Sequence, residues 1–108
     1  MRCTVVGAGV SGLTCAVKLL EAGHEVEVVS DKFSPDTVSD VAAAIWYPFL
    51  TAPANRSEPW GISTYSVLQG LARDEPESGV VMRDGREYLR EVVALPAWKD
   101  DIASFRVL

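Results

Sequence analysis

Residues 2–13 read Arg-Cys-Thr-Val-Val-Gly-Ala-Gly-Val-Ser-Gly-Leu, and this stretch decides how the chain folds. Arg2 to Val6 reads as a short buried strand. Its apolar residues are continuous rather than alternating, which suits a strand of a parallel sheet covered on both faces. Gly7-Ala8-Gly9-Val10-Ser11-Gly12 then fits G-x-G-x-x-G. Alone the pattern says little, but here it closes a predicted strand and opens a predicted helix, the context it requires. The glycines have separate reasons: Gly7 for the tight turn, Gly9 to leave a pyrophosphate unobstructed, and Gly12 to let the helix sit close to the strand. Backbone N–H groups and the positive helix end then face the phosphates.

Moving outward, Leu13, Ala16, Val17 and Leu20 recur at helical spacing, and Gly23 stops the helix. Glu25-Val-Glu-Val-Val-Ser30 reads as a second strand. Strand, helix and strand within about 30 residues make a βαβ unit with a right-handed crossover. Asp31 follows Gly12 by about 20 residues, where a carboxylate accepts hydrogen bonds from the adenosine ribose. Lys32 beside it leaves two readings open: a partner for a 2′-phosphate, and hence NADP, or a solvated lysine in a turn. The motif alone also leaves open a glycine-rich turn that binds nothing.

After the second strand an ordinary NAD domain would repeat strand and helix. Here a polar loop, Ser34-Pro35-Asp36 through Asp40, leads to Val41-Ala-Ala-Ala-Ile-Trp-Tyr-Pro-Phe-Leu50. Two readings of its alanines compete. Small side chains let backbone approach a flat ring system, favouring a flavin; alternatively, Ala42 to Ala44 form a plain helical turn in the core. Ile45 and Trp46 then flank the ring and Pro48 turns the chain away. On the flavin reading Ala44→Leu harms cofactor binding far more than a change at an equally buried alanine such as Ala16. Farther on, a helix is expected over about 60–73, with Pro59 in its first turn and Tyr65, Leu68 and Ala72 on one face. A hairpin is expected over about 79–93 around Asp84-Gly85, and the tail ends in a strand-like Phe-Arg-Val-Leu.

The chain has 108 residues, 48% hydrophobic and 23% charged, enough for one globular domain but short for separate cofactor and substrate domains. A net charge of −5 and the lack of a basic stripe argue against nucleic acid. No apolar run approaches membrane-spanning length, and no signal peptide is read at the start. Cys3 and Cys15 fall in apolar patterns and read as buried free thiols, without disulfide or metal spacing, which favours a reducing compartment. His24, the one histidine, lies in the turn after Gly23 without a carboxylate or nucleophile placed with it, so it is not read as catalytic. Trp46, Trp60 and Trp98 read as core rather than ligand-stacking residues, with Trp46 the exception to watch.

The segments "VVGAGVSGLT", "SDKFSPDTVSDVAAAIWYPFL" and "LPAWKDDIASFRVL" together resemble the D-amino acid oxidase family, FAD-dependent flavoproteins that include D-aspartate oxidases. The resemblance is weakest over about 57–90. The glycine motif is common to many flavoproteins. The Asp31-Lys32 pair, the alanine-Trp-x-Pro run and "PAWKD" are more specific. The resemblance implies an α/β fold: a Rossmann-like FAD-binding βαβ unit with a parallel sheet, incomplete here, residues 1–108 being the N-terminal portion of an FAD-binding domain. It implies FAD contacts at Ala8, Gly9, Val10 and Ser11 around the pyrophosphate and at Asp31 and Lys32 near the ribose. It also implies contacts at Val38 and Ser39 near the phosphates and at Ala43, Ala44 and Ile45 beside the flavin. The family usually carries hydroxyls at both positions filled by Val38 and Ser39, so Val38 contributes only backbone. It often has glycine where Ala44 stands.

Family members oxidise a D-amino acid by hydride transfer to the flavin. The imine hydrolyses to an α-keto acid and ammonia, and oxygen takes the electrons to give hydrogen peroxide. The family's carboxylate-clamping arginine and tyrosines have no counterpart among these residues, so no catalytic residue is assigned. Arg83, Arg86, Tyr88 and Arg106 read as surface and hairpin residues. The expected partners are the substrate, oxygen and the remaining polypeptide, and the 108 residues alone are expected to bind FAD weakly and oxidise nothing. The oligomeric state is left open, the family often being dimeric. The expected location is cytoplasmic, or peroxisomal in a eukaryote. An NAD(P)-dependent oxidoreductase domain and a non-catalytic dinucleotide-binding domain remain the competing readings.

Overall fold

A computed structural model describes residues 1–108 and divides into two compact units, 1–44 and 45–108. The first unit contains β1 (Arg2–Val6), α1 (Val10–Glu21), β2 (Glu25–Val29) and the single-turn α2 (Val38–Val41). β1 and β2 pair in parallel, with Arg2 opposite Glu25 and Val6 opposite Val29. This is a Rossmann-like βαβ unit with a two-stranded sheet.

α1 ends as the sequence indicates. Gly23 adopts φ +81°, its N–H donates to the Leu20 carbonyl at 2.9 Å, and the His24 N–H donates to the Leu19 carbonyl at 3.1 Å. These two bonds make a Schellman motif, which satisfies carbonyls that the helix end would otherwise strand.

The packing face of α1 differs from the expected one. Leu13, Val17 and Leu20 are exposed, whereas Ala16 is buried and Gly12 and Leu19 are half-buried. The helix therefore meets the sheet along residues 12, 16 and 19, a stripe at spacings of four and three. Two of the three are small, and helix and strand can approach closely. Each strand alternates exposed and half-buried residues, so one face of the sheet is open and the expected cover on both faces is not met within these residues. The thiols also depart from expectation: Cys3 is half-buried and Cys15 exposed, although both are free.

In the second unit α3 spans Ala54–Asp74, beginning several residues before the expected start. Pro59 lies inside it rather than in its first turn. The first turn closes on the Pro53 carbonyl, which accepts the N–H groups of Arg56 and Ser57, both at 3.0 Å. Pro59 then costs the helix one internal bond without ending it. Short 3₁₀ turns follow at Pro76–Ser78 and Ala97–Asp100.

No strand forms over 79–93, and Phe105–Leu108 is irregular as well. The expected hairpin thus lacks its ladder. A lone two-stranded hairpin is marginal in water, and these residues are nearly all exposed.

The centre of this unit is aromatic. The Trp46 ring lies 4.9 Å from Tyr65 and 5.4 Å from Trp98, centroid to centroid, and Trp98 meets Phe105 edge-on. Trp46 Nε1 donates to the Gly61 carbonyl of α3 at 2.8 Å. Trp46 therefore ties its own segment to α3 and is packed among side chains of this unit. Trp46→Phe keeps most of the ring contacts and loses the hydrogen bond. It should lower stability by about 1 kcal/mol in a urea melt, and an unchanged midpoint would show that the bond contributes nothing.

Candidate cofactor-binding site

The glycine turn follows β1 and is tied to the end of β2, where the Gly7 N–H donates to the Val29 carbonyl at 2.8 Å. Gly7 has φ +105°, a conformation that strains any other L-residue. Ala8 is buried, and Gly9 caps α1 with extended backbone. A Cβ built on Gly12 would stand 1.9 Å from the Gly7 carbonyl oxygen and 3.5 Å from Val5 Cγ1. Close approach of helix to strand and turn therefore demands glycine at position 12, as the sequence indicates.

Gly9 has a requirement that the motif does not foretell. A Cβ there would lie 2.9 Å from Ser39 Oγ. Ser39 belongs to α2, nearly thirty residues on, and its hydroxyl accepts the Val10 N–H at 2.9 Å. The first intrahelical bond of α1 runs from the Leu13 N–H to the Gly9 carbonyl. The N–H groups of Ser11 and Gly12 precede that bond and lie in the first turn, where the helix itself offers no carbonyl acceptor. A hydroxyl can accept and donate at once. With its lone pair engaged by Val10, the Ser39 O–H hydrogen is available to an outside acceptor.

The polar loop is organised around Asp40. Thr37 caps α2, its Oγ1 accepting the Asp40 N–H at 3.3 Å. Asp40 Oδ2 takes the Thr37 N–H at 3.0 Å and the Thr37 hydroxyl at 2.5 Å. Ser34 Oγ donates to Asp40 Oδ1 at 2.7 Å. The hydroxyls of Thr37 and then Ser34, with the Thr37 N–H, hold the Asp40 carboxyl below its ordinary range. Because the folded value is depressed, the cap is present above the ordinary carboxylate pKa and is lost as pH falls through the lower folded value. In the sequence Asp40 stands out only as one polar residue of a turn-rich loop. Thr37-Val-Ser-Asp40 carries the spacing of a capping box, which is the signal that finds Asp40.

The other expected residues fall as follows. Asp31 and Lys32 are exposed just beyond β2, on the same side of the unit as the glycine turn that Val29 anchors. Val38 opens α2 and is 83% exposed, and with no polar side-chain atom it can offer a phosphate only its backbone N–H. α2 ends at Val41, and Ala42 is extended with φ −75° and ψ 141°. Ala43 and Ala44 are irregular and exposed. This excludes the core helical turn as an account of the alanines. Ile45, also exposed, belongs to the second unit. No helix is long and apolar enough to cross a membrane.

A glycine turn between a parallel strand and a helix, with a hydroxyl at the helix start, is a layout suited to a dinucleotide phosphate. Comparison supplies the class: the family model for FAD dependent oxidoreductases matches residues 2–107, and the chain belongs to that family. Within it, the chain is 42% identical over 106 residues to a D-amino-acid oxidase of Rubrobacter xylanophilus, covering 97% of this chain and 32% of that protein. It is 31% identical over 105 residues to a D-amino-acid oxidase of Dictyostelium discoideum and 34% identical over 113 residues to a D-aspartate oxidase of Homo sapiens. These matches cover 94% and 97% of this chain, and 30% and 33% of those proteins. The chain spans about a third of the length of the curated relatives it matches.

Proposed function

We propose that residues 1–108 form the cofactor-binding N-terminal part of an FAD-dependent oxidase that converts D-amino acids to α-keto acids, ammonia and hydrogen peroxide. The observation that carries this reading is the meeting of the glycine turn, the opening turn of α1 and the Ser39 hydroxyl at one place. Those groups offer backbone and hydroxyl donors and no side-chain bulk, which suits a pyrophosphate.

Gly7, Ala8, Gly9, Val10, Ser11 and Gly12 build the turn and present its N–H groups. Ser39 donates to a phosphate oxygen while accepting from Val10, and Val38 offers backbone. Asp31 accepts from ribose hydroxyls, with Lys32 beside it. Ala43 and Ala44 leave room for the ring system, and Ile45 is the apolar residue that flanks it. The family match favours a flavin over a nicotinamide cofactor at these residues. An FAD held by these residues would supply the two-electron redox chemistry that links oxidation of the amino acid to reduction of oxygen.

The expected partners are the D-amino acid, oxygen and further polypeptide that covers the exposed Leu13, Val17 and Leu20 of α1. The free thiols Cys3 and Cys15 support a reducing compartment, cytoplasmic or, in a eukaryote, peroxisomal. The test is a peroxide assay on the purified polypeptide in which these residues occur, with a panel of D- and L-amino acids. Peroxide from D-enantiomers alone supports the reading, and no peroxide from any D-amino acid overturns it.

A further inference from the structure

We propose that Asp40 is a positioning residue for the cofactor phosphates: it touches no phosphate itself, but locks the 34–40 loop so that Ser39 meets the start of α1. This inference rests on the FAD reading above.

A single helical turn does not hold itself, because nucleation fixes several residues for one bond. α2 has only four residues and no buried side chain. What fixes it is the set of bonds on Asp40: two from Thr37, one from Ser34, and its own N–H returned to Thr37. Both carboxylate oxygens are engaged by the loop. Ser39 is the preceding residue, and its Oγ accepts the Val10 N–H at the opening of α1. Without the lock the loop gains conformational freedom, and the Ser39 hydroxyl must be ordered when the cofactor binds, which weakens binding.

Electrostatics alone gives the opposite sign. Asp40 is a carboxylate one residue from a hydroxyl that faces phosphates, and removing a like charge would tighten an anionic ligand. The direction of the effect therefore separates a positioning role from simple repulsion.

The experiment measures FAD affinity by flavin fluorescence quenching on the apo form of the polypeptide in which these residues occur. It compares wild type, Asp40→Ala, Asp40→Asn, Ser34→Ala, Ser39→Ala and the double variant Asp40→Ala/Ser39→Ala. Asp40→Ala is expected to weaken FAD about tenfold or more. Asp40→Asn, which keeps one acceptor, and Ser34→Ala, which removes one bond, should fall between it and wild type. The double variant should bind no more weakly than Ser39→Ala, because both changes remove one device. Thermal midpoints of the apo forms should stay together, since α2 covers no core. Unchanged or tighter binding by Asp40→Ala and Ser34→Ala, or fully additive losses in the double variant, would overturn the inference while leaving FAD binding intact. Absence of FAD binding by the wild type overturns the functional reading and this inference together.

Discussion

Gly12→Ala is expected to abolish measurable FAD binding and to destabilise the apo protein. The added Cβ would stand 1.9 Å from the Gly7 carbonyl oxygen and 2.9 Å from its carbon, which no rotamer can relieve because both partners are backbone. α1 must move off the turn. That shift displaces the N–H groups of Val10, Ser11 and Gly12 together and stretches the Val10–Ser39 bond. Overpacking of this kind costs roughly 1–3 kcal/mol, and rigid neighbours place Gly12 at the upper end. Gly70, inside α3 near its C-terminal end, is the control: a Cβ there meets nothing within 4 Å. Gly70→Ala should leave FAD binding unchanged and raise stability by about 0.5–1 kcal/mol. Urea melts and FAD titration of the two variants read both effects. Wild-type FAD affinity in Gly12→Ala would mean that the turn is not where phosphate sits.

The second large effect concerns the alanine stretch. On sequence grounds Ala44 and Ala16 look like equally buried alanines, but they are not. Ala16 is 5% exposed against the sheet, while Ala44 is exposed in irregular backbone. The comparison therefore becomes a separation of two readouts. Ala16→Leu adds volume to a closed space and should cost about 1–3 kcal/mol of stability. Ala44→Leu should change stability by less than about 0.5 kcal/mol, yet weaken FAD binding about tenfold or more if position 44 faces the ring system. Ala44→Leu with unaltered FAD affinity would make Ala42 to Ala44 a plain connection between the two units.

Local signals in the sequence proved dependable. The β1–turn–α1 sequence and the stop at Gly23 depend on residues close together in the chain. Backbone conformation at Gly7 and Gly23 and steric limits at Gly12 enforce the turn and the helix end directly.

Features that depend on partners were less legible. The choice between the 12-16-19 and 13-17-20 stripes of α1 is made by what packs against them, and only the first is covered by the sheet. Residues 79–93 alternate well enough to suggest a hairpin, but strands need a ladder and a covered face, and neither is supplied there. Pro59 suggested a helix start because proline is favoured in first turns. The carbonyl of Pro53 supplies an earlier start that periodicity does not reveal. In the site, the bond between Val10 and Ser39 is a long-range meeting, and no spacing rule announces it.

The most direct test of the account is the visible spectrum of the purified polypeptide in which these residues occur, followed by identification of any released chromophore. The purified protein is expected to be yellow with oxidised-flavin bands, to release FAD, and in its apo form to be stabilised by added FAD. A colourless protein whose melting temperature is raised by NAD(P) and not by FAD would contradict it.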